Sequence, residues 1–218
     1  MMHDQSIQTI RSAFAPTSSP PYWQEARFTL TTPRGAARTQ AIGELHTQAN
    51  SIGYKNVLEI SGSSPQPTGV ALSAFNLVTD IPGVEGTASV ESIYQASKVF
   101  EGGGPYEDLL RTDSRSAKLD PRVRKGGSLV SFRLGGIEYP VDPPNAFYHW
   151  LYLRALLKAD ISIVELSTFD AFTDIKFNPV ISVSCQAQAV ASIVGYYGGH
   201  KVIPDLTTFQ QYKQVFIR

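Results

Sequence analysis

The sequence predicts one α+β domain in which helices outnumber strands, and three observations carry that expectation. Apolar residues recur at helical spacing through 35–52, 90–100, 145–158 and 184–197. Short apolar runs at 54–61, 70–77 and 128–139 fall between them, bounded by Gly, Pro, Ser or Asn. No internal repeat or low-complexity tract breaks this pattern. A chain of 218 residues fits one domain, with or without a small appendage. The expected organisation is an irregular arm over 1–34 and a folded unit over 35–218.

The elements follow in order. Residues 1–34 are rich in Pro, Ser and Thr, with Pro16, Pro20, Pro21 and Pro33 as breakers, and one short strand is expected at Arg27–Thr31. A helix over 35–52 stops at Gly53. Tyr54–Ser61 reads as a strand on Val57, Leu58 and Ile60, and Val70–Leu77 as a second apolar run after a turn-rich loop. Ser89 is placed to cap a helix over 90–100. Pro105 opens a short helix to Leu110, and a charged helix over 114–125 is interrupted at Pro121. Gly135-Gly136 between 128–134 and 137–139 is the strongest hairpin signal. An aromatic helix over 145–158, a strand-like 169–177, an Ala- and Gln-rich helix over 184–197 and a last helix near 206–213 complete the chain.

Composition removes several function classes. Nineteen basic residues balance nineteen acidic ones, which argues against broad electrostatic binding of nucleic acid but not against recognition of a small modified patch. The single cysteine, Cys185, cannot form an internal disulfide and fits a reducing compartment. With His3, His46, His149 and His200 scattered, neither a metal site nor a cofactor is expected. The first residues are polar and no run approaches a membrane span, so a cytoplasmic protein that does not meet the membrane is expected.

The segment Val-Glu-Ser-Ile-Tyr-Gln-Ala-Ser-Lys-Val-Phe, 90–100, is the most informative. At roughly 100° per residue, Val90, Ile93, Ala96, Ser97 and Phe100 share one face, and Glu91, Tyr94, Gln95 and Lys98 the other. A carboxylate, a phenol, an amide and an amine on one stripe suit acid–base or covalent chemistry. An ordinary amphipathic surface helix gives the same pattern.

That stripe has company. Leu72-Ser-Ala-Phe-Asn76 precedes it; Phe147-Tyr-His-Trp-Leu-Tyr152, Phe172-Thr-Asp-Ile-Lys-Phe-Asn-Pro179 and Ser184-Cys-Gln-Ala-Gln188 follow. In this order the motifs resemble the NADAR family (NAD- and ADP-ribose-associated, YbiA-like proteins), most closely the branch found beside DarT-type DNA ADP-ribosyltransferase toxins. The resemblance spans about Tyr54 to Tyr197. It departs from the general YbiA-like pattern late in the chain, where Asp174-Ile-Lys-Phe177 stands for an Asp-x-x-Trp-Gly segment and leaves aromatic stacking to Phe177.

The resemblance implies a YbiA-like catalytic domain over 35–218 and an ADP-ribosyl glycohydrolase acting on guanine in DNA, the antitoxin of a DNA-modifying pair. ADP-ribosylated DNA would be substrate, ADP-ribose product and the cognate toxin a partner. Cleaving the bond between the ribose anomeric carbon and the guanine exocyclic amine passes through an oxocarbenium-like carbon. Glu91 would donate the proton and later activate water. Lys98 would either hold an anion or, as a neutral amine, attack the anomeric carbon of an opened ribose and form an imine. Tyr94 and Gln95 would hydrogen-bond ligand, or pack at a helix edge. Asn76 would orient a hydroxyl or the base; Ser73 lies beside it, and Phe75 would stack on adenine or fill the core. Asp174 would bind a ribose hydroxyl, help Glu91, or merely cap a turn. Tyr148, Trp150 and Tyr152 mix core with one pocket wall. Arg115 and Lys118 meet pyrophosphate or face solvent, and Gly102–Gly104 end a helix or approach phosphate. Two other readings compete: an N-glycosidase for a small nucleotide-like metabolite, and a module that binds ADP-ribose or toxin without chemistry. Duplex preference, sequence context and oligomeric state are not legible.

Overall fold

A computed structural model describes residues 6–180, 182 and 185–217. Two long strands, β1 (Ser6–Pro16) and β2 (Trp23–Pro33), open the chain as an antiparallel hairpin where an irregular arm was expected. The prolines do not break these strands; Pro16 and Pro33 end them, and Pro20 and Pro21 lie in the turn. Strand β3 (Val57–Glu59) and a later strand, β9 (Ala171–Thr173), pair in parallel, and β9 pairs antiparallel with β1. The sheet order is therefore β2-β1-β9-β3. The hairpin thus belongs to the sheet of a single α+β domain.

Helices cover both faces of this sheet. On one, α1 (Arg38–Ser51) buries Ile42 and Leu45 with Leu30 of β2 and Ile175. On the other lies α8 (Gln186–His200), whose Ala189, Val190, Ala191 and Ile193 are fully buried. Behind α8 packs α6 (Ala146–Lys158), in which residues 146–156 are all buried, as its near-continuous apolar sequence requires. Within α6, Trp150 donates to the Leu206 carbonyl and Tyr152 to the Leu72 carbonyl, so both are core residues whose polar ends are satisfied. His149 lies between Tyr212 and Ser192, and burial lowers its pKa to about 4.

Between α1 and α6 the chain builds the layer that carries the site. A short α2 (Pro67–Ala71) occupies part of the 70–77 run expected to be extended. The hairpin of β4 (Val78–Asp80) and β5 (Thr87–Ser89) leads into α3 (Val90–Ala96). The expected helix over 90–100 thus stops four residues early. Ser97 Oγ donates to the Ile93 carbonyl and the Ser97 carbonyl accepts from the Arg133 amide, which pulls the chain into β6 (Lys98–Phe100). A 3-10 turn (Glu107–Arg111), α4 (Ser114–Leu119) and α5 (Pro121–Arg124) follow, the last two separated at Pro121 as predicted. Strands β7 (Leu129–Leu134) and β8 (Ile137–Tyr139) form the predicted hairpin and pair with β6. The remaining short elements are α7 (Ile163–Leu166) and α9 (Phe209–Phe216). Part of the Ser184–Gln188 motif, including Ser184, lies outside the described residues.

Candidate active site

Glu91 is fixed before any ligand arrives. Ser89, with extended backbone, caps α3 by accepting from the Ser92 amide (3.0 Å). The Glu91 amide donates to the Ala74 carbonyl (2.9 Å), which ties the first turn of α3 to the loop after α2. Gln186, at the start of α8, locks that loop from the other side. Its Oε1 accepts from the Ala74 amide (2.7 Å) and its Nε2 donates to the Ile60 carbonyl beyond β3 (2.6 Å). One buried amide therefore joins three chain segments.

The opposite wall hangs on a buried carboxylate. Glu59, at the end of β3, has no exposed surface. It accepts from Thr173 Oγ1 (2.7 Å) and from the Ile175 amide (2.9 Å), holding both sides of the bend that carries Asp174. Asp174 in turn accepts from the Lys176 amide (2.9 Å), so the turn-capping role weighed for it is real. Burial, with the Glu59 carboxylate adding to it, pushes the Asp174 pKa up to about 7. A carboxyl that keeps its proton near neutrality is thereby placed in the site.

These segments enclose a cavity of about 150 Å³. Ser73, Phe75, Glu91, Tyr94, Gln95, Lys118, Tyr148, Asp174, Lys176, Phe177 and Gln186 line it. Its volume suits one sugar or base ring, since pockets for whole drug-sized ligands run to roughly 300–1,000 Å³. Two ammonium groups flank it: Lys118 Nζ and Lys176 Nζ stand 5.0 and 5.1 Å from the Phe75 ring. Ser73 Oγ is buried without a hydrogen-bond partner among the described residues. A larger groove of about 600 Å³ borders the β1–β2 turn, but its carboxylate, Asp170, is occupied by the amides of Lys55 and Asn56.

A chain of polar contacts runs through Glu91. Gln95 Nε2 donates to Glu91 Oε1 (2.8 Å), Lys98 Nζ donates to Gln95 Oε1 (2.8 Å), and Lys118 Nζ lies 3.3 Å from Glu91 Oε1. Glu91 is buried and Lys118 half-exposed, so the pair sits at the rim of the cavity. Lys98 also stands 4.5 Å from the Tyr94 ring centroid. Burial brings its pKa down to about 8, helped by the Lys118 charge and opposed by Glu91.

Eight of the predicted residues thus converge, with Lys98 one hydrogen bond behind the cavity wall rather than on it. The break in the helix explains this, because Lys98 begins β6 instead of continuing the stripe. Asn76 does not join them. It is exposed and donates to the Val70 carbonyl, closing the turn after α2. Lys118 faces Glu91 rather than solvent alone, while Arg115 is exposed and outside the cavity. Gly104, in the turn after β6, has a positive φ, and a side chain there would strike the Lys98 carbonyl; this is a turn requirement rather than the end of a helix. Sequence reasoning missed Lys176 and the two positioning residues. A carboxylate inside the apolar run Val57-Leu-Glu-Ile60 was the available signal for Glu59. Gln186 lay unremarked within a quoted motif.

A helix-backed sheet whose parallel strand ends and short α3 surround two carboxyls and two amines defines an α+β protein with a small, charge-lined cavity. More particularly, the chain belongs to the family described as DarT1-associated NADAR antitoxin, whose model matches residues 9–218. The match reaches into the β1–β2 hairpin, beyond the span where the motifs resemble the family. The chain accordingly has the role of an antitoxin, with a DarT toxin as counterpart. No curated protein matches it.

Proposed function

We propose that the protein is a glycohydrolase that removes ADP-ribose from guanine in DNA. The observation that carries this reading is the placement of Glu91: a buried carboxylate on a ring-sized cavity, beside a second carboxyl and two ammonium groups. One ring of the substrate, the modified ribose, would fill the cavity, and the pyrophosphate would lie toward Lys118 and Lys176. Ser73 Oγ would gain the hydrogen bond it lacks from a ribose hydroxyl.

Glu91 protonates the departing guanine amine and then takes a proton from the attacking water. Asp174, whose carboxyl burial keeps protonated to a higher pH than usual, holds a ribose hydroxyl, while the proton taken from water restores Glu91 to its acid form. In the covalent route the Lys98 amine adds to the anomeric carbon of the opened ribose as the guanine amine leaves. The resulting lysyl imine is hydrolysed by water, returning the free amine and ADP-ribose. The desolvation of Lys98 supports this route, in which the amine leaves Gln95 and moves forward to the cavity.

The test uses an oligonucleotide carrying ADP-ribose on guanine, incubated with native protein, Glu91→Gln and Lys98→Ala. Release of ADP-ribose by the native protein and loss in both variants is expected. Loss in Glu91→Gln alone removes the imine route. Absence of release with ADP-ribose still bound by the native protein replaces hydrolysis with the binding-module reading.

A further inference from the structure

Charge is balanced over the whole chain but not along it. Between positions 111 and 125 lie Arg111, Arg115, Lys118, Arg122, Arg124 and Lys125 against two acids, Asp113 and Asp120. Both acids serve the backbone. Asp113 Oδ1 accepts from the amides of Arg115 and Ser116 (3.0 Å each), and Asp120 Oδ1 from that of Arg122 (2.8 Å), capping α4 and α5. Arg122 is spoken for: it pairs with Asp108 and Asp120 and lies 4.8 Å from the Tyr106 ring. Arg115, Arg124 and Lys125 are exposed, and among the described residues their side chains make no hydrogen bond or ion pair. Meanwhile Lys118, one turn along α4 from Arg115, reaches the cavity rim at Glu91.

We infer that the α4–α5 segment, 114–125, is the surface along which the phosphate backbone of a single nucleic-acid strand lies while its modified base addresses the Glu91 cavity. This rests on the glycohydrolase reading. The cavity holds one ring, so the rest of a polymeric substrate must lie outside it. Lys118 at the rim and the exposed Arg115 share α4, and α5 follows it directly in the chain. These short, capped helices hold the charges at set spacing, as a backbone track requires. A protein partner would want apolar or aromatic anchors, and this segment exposes only Leu119 among large hydrophobic residues.

Kinetics on two substrates tests the track: a single-stranded oligonucleotide bearing ADP-ribosyl-guanine, and the ADP-ribosylated nucleoside alone. The variant is Arg115→Glu/Arg124→Glu/Lys125→Glu, which leaves Lys118 in place. KM for the oligonucleotide should rise by about tenfold or more with kcat unchanged, while the nucleoside is turned over as by native protein. The slope of log KM against log salt should flatten by about 2, at about 0.7 per lost phosphate contact on a single strand. Equal effects on both substrates, or none on either, overturn the inference. If native protein hydrolyses neither substrate, the glycohydrolase reading fails, and fluorescence anisotropy with an unmodified oligonucleotide then decides the track separately. Salt-sensitive binding by native protein, weakened in the variant, supports it; equal binding refutes it. Unchanged DNA binding with lost binding of the toxin overturns it in favour of a protein interface.

Discussion

Replacing Asp174 by Asn isolates a strongly perturbed carboxyl in the site. The amide keeps an oxygen for the Lys176 N–H and nearly the same volume, so the turn can persist while the charge is removed. In the native protein burial and Glu59 raise the Asp174 pKa from 3.8 to about 7. A carboxyl whose folded pKa lies above its unfolded one favours the fold most at low pH and loses that contribution as pH rises through the folded value. At 1.36 kcal/mol for each tenfold change, the full loss is about 4 kcal/mol, of which about 3 falls between about pH 4.5 and 8. Urea unfolding of both proteins across that range gives the difference directly, because every other titrating group is shared. Asp174→Asn should match the native protein at the acid end and exceed it by several kcal/mol at pH 8. Parallel stability curves, or a variant that falls behind as pH rises, would refute the electrostatic account. A gain in stability paired with a loss of hydrolysis would mark Asp174 as a residue kept for chemistry.

Other outcomes follow from the same contacts. Acylation of Lys98, followed by mass spectrometry, should reach half its limiting rate near pH 8, well before exposed lysines. Lys118→Ala should move that midpoint up by removing a like charge, and Glu91→Gln should move it down by removing an opposite one. Gly195→Ala places a methyl group against the carbonyls of Thr17 and Tyr22, pushing the β1–β2 turn off α8. Thermal unfolding should report a loss of about 1–3 kcal/mol, with activity retained below the transition. Tyr152→Phe leaves the Leu72 carbonyl without its donor and should cost about 1–3 kcal/mol by the same measurement.

What could be read from the chain depended on whether local forces decided the outcome. Helix α6 announces itself because its near-continuous apolar run matches the eleven successive positions that the fold buries. The β7–β8 hairpin follows from Gly135-Gly136, both at positive φ. By contrast, the β1–β2 hairpin was hidden by prolines that punctuate the strands instead of interrupting them. The early end of α3 was hidden too, since the pull on Ser97 comes from Arg133, distant in sequence. Within the site, the Glu91–Tyr94–Gln95 spacing survives because it lies inside one helix turn and a little more. Lys118 and Lys176 arrive from separate elements, and only the tertiary fold brings their charges to Phe75. Glu59 and Gln186 act through backbone groups of other segments, which no periodicity records.

The most direct measurement of the central claim is the mass of an ADP-ribosylated oligonucleotide after incubation with the native protein and with Glu91→Gln. The account predicts that the native protein returns the strand to the mass of unmodified DNA, with its guanine intact and ADP-ribose free in solution, while Glu91→Gln leaves the adduct in place. An unchanged adduct with native protein, or a strand missing its guanine, would contradict it.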